Sequence, residues 1–143
     1  MAKLLGSTVQ ALVLKRTNVG ETDRVVTLYS PEQGKIVCIA KGVRKMSSSK
    51  RSLLEPGNQV RAFVIPTASL AIITQVTLLS DLGAVWHDLN LLRKVSQVLE
   101  IIDKLAVEAD PEAELYEITT DLLAAIANRT ATDQSVRAQL DQI

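Results

Sequence analysis

The sequence predicts an α+β protein in two parts, a small five-stranded β-barrel over residues 1–82 followed by an α-helical domain over residues 83–143. Three observations carry this. All six glycines lie at or before Gly83, separated by short β-branched segments, which is all-β punctuation. Beyond Gly83 glycine disappears, and leucine and alanine recur at helical spacing. Charge is sorted the same way: residues 1–65 hold 11 of the 16 Lys and Arg but 4 of the 16 Asp and Glu, net +7, which leaves net −7 for the remainder. A composition of 47% hydrophobic and 22% charged residues is that of a chain with a packed core.

Ser7 to Arg16 reads as the first strand, Arg24 to Ser30 as the second and Lys35 to about Gly42 as the third. Pro31-Glu32-Gln33-Gly34 joins the second and third, with proline presetting φ and glycine free to take φ > 0, so a tight hairpin is expected. Gln59 to Ile65 and Leu70 to Leu79 form another pair across Pro66-Thr67-Ala68-Ser69, and the last strand is apolar on both faces, as in a closing barrel strand. Five strands of this kind suit an OB-fold.

Leu91, Val95, Val98, Ile102 and Leu105 then mark an amphipathic helix, widened by Leu92, Leu99 and Ala106. Asp110-Pro111-Glu112 predicts an N-cap at Asp110 followed by proline at the first helical position. The second helix is expected to turn Leu115, Ile118, Leu122, Ala125 and Ile126 inward, and a third to start at Asp133. Val136, Leu140 and Ile143 give that third helix a thin apolar stripe, so the sequence reads as ending inside a helical domain.

One cysteine, Cys38, excludes an internal disulfide and reads as a buried strand thiol in a reducing compartment. No apolar run suggests a signal peptide or a membrane span, and a cytoplasmic location is expected. The glycines form neither a Walker loop nor a dinucleotide fingerprint, so no nucleotide-driven activity and no cofactor are expected.

Between the third and fourth strands, Lys41 to Ser52 concentrates five positive charges around serines with no acidic residue. Such a segment cannot bury itself. It reads either as a solvated linker or as a basic loop, mobile around Met46 to Lys50, that collects phosphates by releasing their counterions. Lys15, Arg16, Arg24, Lys35 and Arg61 add charge from neighbouring strands, which favours a concave basic face tracking a backbone. The barrel offers only Tyr29 and Phe63 as rings, Phe63 being expected in the core. A site poor in rings holds nucleic acid through phosphates, with little sequence preference. Neutralising about five phosphates of a single strand gives a log–log salt slope of roughly −3.5.

Three segments carry a family resemblance: Gly20-Glu21-Thr22-Asp23-Arg24 at the second strand, Gly34-Lys35-Ile36 leaving the hairpin, and Ala40-Lys41-Gly42-Val43-Arg44 leading into the basic segment. Together and in this order they resemble the amino-terminal part of the RecO family of bacterial recombination mediators and strand-annealing proteins, over nearly the whole chain. The resemblance implies an OB-fold followed by helices, a non-enzymatic DNA repair and recombination function, binding of single- and double-stranded DNA, annealing, and assistance in loading RecA. RecR and the acidic tail of single-strand-binding protein are the implied partners, and no membrane is implied. Carried over by position, the DNA-facing candidates are Arg24, Lys35, Lys41, Arg44, Lys45, Lys50 and Arg51. The zinc-binding cysteine cluster of many members lies beyond the helical start and has no counterpart in these residues, so no zinc is expected.

Plainer readings stand beside these. Glu21 and Asp23 lack a nearby His, Cys or nucleophile and read as a salt bridge or turn cap rather than an acid–base pair. His87 lacks a second ligand candidate and reads as a junction residue. Trp86 reads as a seal between barrel and helices, and the acidic cluster from Glu108 to Glu117 as a solvated face. An RNA-binding or translation-associated OB module, and a protein–protein adaptor without nucleic-acid binding, remain as alternative functions.

Overall fold

Alternation of apolar and polar residues builds five strands that close on themselves: β1 (Ser7–Val19), β2 (Asp23–Ser30), β3 (Gly34–Ala40), β4 (Gln59–Ile65) and β5 (Ala71–Ser80). The computed structural model describes residues 5–45, 52–108 and 110–142, with residues 129–137 described as backbone only. The barrel order is β1-β2-β3-β5-β4, antiparallel throughout except for a short parallel pairing of β3 with β5, in keeping with the expected OB-fold. β1 is long enough to serve two partners. Its first half pairs with β4 through Leu12, and its second half pairs with β2 as far as Val19. A bulge between Val13 and Lys15 supplies the bend that this requires.

Two cores result. Inside the barrel, Val9, Ala11, Val13, Val26, Leu28 and Cys38 meet Val60, Ala62, Val64 and Ile73, with Val43 and Leu54 closing one end. Burial pushes the Cys38 thiol up to about 12. On the outside of β1 and β2, Leu12, Leu14 and Tyr29 form a second apolar surface, and this the helices cover. A single 3-10 turn (Gly83–His87) leads to α1 (Leu89–Leu105), whose N-cap Asp88 accepts the N–H groups of Asn90 and Leu91. α1 turns Leu91, Val95, Leu99 and Ile102 onto the barrel, whereas Leu105, expected on the same stripe, is exposed at the last residue of the helix.

The second helix departs from expectation in three ways. It starts at Ala113 rather than beside Asp110, with Glu112 at the cap position and no side-chain cap bond. It continues as one helix, α2 (Ala113–Asp141), with no break at Asp133. No glycine or proline lies between Ala113 and Asp141, so nothing in the chain stops propagation once the helix is nucleated. Its buried face is Tyr116, Thr119 and Leu123, while Ile118 and Leu122 are exposed. The barrel sets this rotation. The Tyr29 and Tyr116 rings meet at 5.9 Å and 58°, and the Tyr29 hydroxyl donates to the Glu112 carbonyl at 3.2 Å. Thr119 is tolerated inside because its hydroxyl donates to the Leu115 carbonyl one turn back.

The segment between the helices straps the β2–β3 turn. The Lys35 N–H donates to the Val107 carbonyl at 3.3 Å, and Gly34, at φ +72°, lies so close to the Asp110 backbone that a Cβ there would stand 2.6–2.7 Å from it. Glycine is thus required twice at that position, by its backbone angle and by its neighbour.

Candidate nucleic-acid interface

Strand register shows which side chains share the outer wall of the barrel. Lys15 stands beside Thr27 and Thr27 beside Val37; Thr17 stands beside Val25 and Val25 beside Ile39. These alternate with core-facing Val26, Cys38 and Ala40, so they point outward. The helices cover the Leu12–Tyr29 end of this wall and leave Thr17 exposed and Val25, Val37 and Ile39 half-buried. Tyr29 is fully buried under the helices, and Phe63 is half-buried on β4 against Gly6 instead of lying in the barrel core. Among the described residues, no ring is therefore presented on the uncovered part of the wall.

The predicted cationic residues divide into three groups. Lys41, Arg44 and Lys45 come together where the chain leaves β3, with Lys41 and Lys45 exposed and Arg44 half-exposed. Arg24 and Lys35 are instead committed inside the protein. Arg24 is 2% exposed, with Nε donating to Asn18 and Nη1 3.4 Å from Glu55, whose other carboxylate oxygen takes Arg16 at 2.8 Å. Lys35 places Nζ 2.8 Å from the Asp103 carboxylate and donates to the Asp103 carbonyl at 2.8 Å. Lys50 and Arg51, and with them the expected mobile stretch from Met46 to Lys50, lie outside the described residues.

The supporting charges are equally divided. Lys15 pairs with Asp103 at 3.1 Å across the seam between barrel and helices. Arg61 is exposed on β4 between Gln10 and Thr77, and β4 itself pairs with neither β2 nor β3. Burial at the seam raises the Asp103 carboxyl, but its bonds to Lys35 and Lys15 prevail and hold it below the ordinary aspartate value.

The hairpin tip and the β3 exit interlock. Asp23 accepts the Gly42 N–H at 2.8 Å and the Thr22 hydroxyl at 3.3 Å. The Gly42 bond, opposed by desolvation and assisted by Thr22, Lys41 and Arg44, holds the Asp23 carboxyl below its ordinary value. In return, the Arg44 guanidinium donates to the Val19, Gly20 and Asp23 carbonyls at 3.3, 2.6 and 3.1 Å, and the Arg44 N–H donates to the Thr22 carbonyl at 2.9 Å. Asp23 is thus a turn cap, and the first and third of the family-like segments are the two halves of one joint. Glu55 and Asp103, the acceptors that take up Arg16, Arg24, Lys15 and Lys35, escaped the sequence reading because no local spacing links them to those cations.

Other chemistry is sparse. His87 is exposed at the end of the 3-10 turn, and among the described residues no group of His, Cys, Asp or Glu could hold a metal ion. Trp86, expected as a seal, is instead exposed at the junction, where it lines a groove of about 320 Å³ with Lys15, Arg16, Leu92 and Val95. Among the described residues, no helix is long and apolar enough to cross a membrane.

Comparison with known proteins agrees with this architecture. Residues 4–81 match the family "Recombination protein O N terminal". The chain is 32% identical over 109 residues to the DNA repair protein RecO of Desulfitobacterium hafniense (strain DSM 10664 / DCB-2), covering 76% of this chain and 40% of that protein. It is 30% identical over 121 residues to the DNA repair protein RecO of Pelotomaculum thermopropionicum, covering 85% and 47% respectively. The chain thus spans somewhat under half the length of these relatives. The match over the whole barrel, including both halves of the interlocked joint, shows that the chain belongs to the RecO family, as its amino-terminal part.

Proposed function

We propose that this chain is the DNA-gripping part of a DNA repair and recombination mediator, binding single- and double-stranded DNA through backbone phosphates, annealing complementary strands and assisting RecA loading. The observation that supports it is the placement of Lys41 and Lys45. Both are exposed beside a ring-free wall and, among the described residues, neither is in an ion pair. Asp23 acts on Lys41 from a distance without a contact ion pair, and ammonium groups outside direct ion pairs can replace phosphate counterions. A wall without rings leaves bases unstacked and available to pair, which is what annealing needs. The part played by the protein is to screen repulsion between two strands, and no covalent step is involved. RecR and the acidic tail of single-strand-binding protein are the partners this reading entails, and Lys50 and Arg51 extend the proposed cationic track along the sequence.

Annealing of complementary DNA strands, bare and coated with single-strand-binding protein, is the test. Acceleration that falls steeply with salt supports the reading. Binding to RNA but not to DNA would favour a translation-associated module, and binding to neither an adaptor.

A further inference from the structure

We infer that Asp23 and Arg44 are positioning residues for nucleic-acid binding, forming a two-way latch that fixes the turn bearing Lys41 and Lys45 against the β1–β2 hairpin tip. This rests on the phosphate-binding reading of those two lysines. The latch is reciprocal: a carboxylate from the hairpin tip caps an amide of the turn, and a guanidinium from the turn caps three carbonyls of the hairpin tip. The turn closes on itself as well. Lys45 N–H donates to the Gly42 carbonyl at 3.1 Å, and Gly42 takes φ +67°. Lys41 and Lys45 therefore leave the barrel from a backbone held at both ends, which reduces the ordering that binding would otherwise require.

The chemistry of the two side chains separates positioning from direct contact. A guanidinium spreads its donors over a planar fork, here Nε to Asp23 and Nη2 to Val19 and Gly20, whereas an ammonium gathers its three donors on one nitrogen and does not reproduce that two-point placement. Asp23 is more telling. It is an anion beside the cations proposed to hold phosphate, so by charge alone its removal favours binding. If the latch matters, its removal weakens binding instead.

The test measures affinity of the full chain for a fluorescently labelled oligothymidylate at several salt concentrations, for wild type, Asp23→Ala, which removes the acceptor of the Gly42 N–H as well as the charge, Arg44→Lys and the double variant Lys41→Gln/Lys45→Gln. Asp23→Ala is expected to weaken binding about fivefold despite its more positive charge, and Arg44→Lys about as much, because the turn must then be ordered on binding. Hydrogen exchange at the Gly42 and Arg44 amides rises in both, while circular dichroism confirms that the barrel stays folded. Tighter or unchanged binding by Asp23→Ala, or wild-type affinity in Arg44→Lys, overturns the inference. Should either variant unfold, the other decides. If wild type binds and the double lysine variant weakens it while the latch variants do not, the latch fails and the phosphate reading stands; no wild-type binding removes the reading itself.

Discussion

Replacing Gly34 by alanine isolates the strap that joins helices to barrel, and Gly20 provides the control. Both glycines have positive φ, +72° and +60°, so alanine carries a similar backbone penalty at each, about 1–2 kcal/mol, partly offset by about 0.4–1 kcal/mol from a stiffer unfolded chain. Their surroundings differ. An added Cβ at Gly20 meets nothing within 4 Å, whereas at Gly34 it stands 2.6–2.7 Å from three backbone atoms of Asp110. Asp110 must retreat, which strains the Lys35 N–H to Val107 and Tyr29 hydroxyl to Glu112 hydrogen bonds. At about 1 kcal/mol for each bond, plus about 1 kcal/mol from loosened Tyr29–Tyr116 packing, Gly34→Ala should cost roughly 3 kcal/mol more than Gly20→Ala. The assays are urea and thermal unfolding, each followed by Trp86 fluorescence and by circular dichroism. Thermal midpoints should separate by roughly 9 °C at about 3 °C per kcal/mol for a chain of this size. Equal destabilisation by the two variants would refute the strap's energetic role.

Three further outcomes follow from the geometry. A double-mutant cycle on Asp103 should give a larger coupling to Lys35, about 1–2 kcal/mol between side chains 18% and 17% exposed, than to Lys15, which is 60% exposed and worth under about 0.5 kcal/mol; equal couplings would contradict this ranking. The Asp103 carboxyl lies below its ordinary value in the folded state, so its stabilisation is complete above that value and is lost as pH falls below about 4 through the folded value; Asp103→Asn should flatten this acid limb of a stability–pH curve. The Cys38 thiol, fully buried and pushed up to about 12, should resist alkylation at neutral pH until the barrel unfolds, and rapid labelling of native protein would show that the strand opens locally.

Local grammar was a good guide wherever the deciding interaction is itself local. β4 runs from Gln59 to Ile65 as its alternation indicates, the hairpin turns at Pro31–Gly34, and α1 buries Leu91, Val95, Leu99 and Ile102. The face of α2 was only half legible: Leu115 and Ile126 pack against the helical core as expected, whereas Ile118 and Leu122 on the same stripe are exposed and Tyr116 and Leu123 are buried instead. Contacts far away in sequence choose them, Tyr29 for Tyr116 and the Leu82 region for Leu123. Arg24 and Lys35, expected to face DNA, were misread for the same reason. A lysine reads alike whether it faces solvent or an aspartate, and Lys35 meets Asp103 only after the helices dock, 68 residues later in the chain. The paired segments around Asp23 and Arg44 did stand out in the sequence, although what they announce is a joint in the backbone as much as a ligand.

The apolar outer surface made by Leu12, Leu14 and Tyr29 has a consequence for how this chain can be handled. A recombinant piece ending near Ser80 would show those three side chains to water, and at about 25 cal/mol per Å² of apolar area such exposure promotes self-association. Interchange of barrels between relatives is restricted in the same way, since a new barrel must bring the matching α1 and α2 surfaces with it. The portable unit is the barrel together with its helical cover.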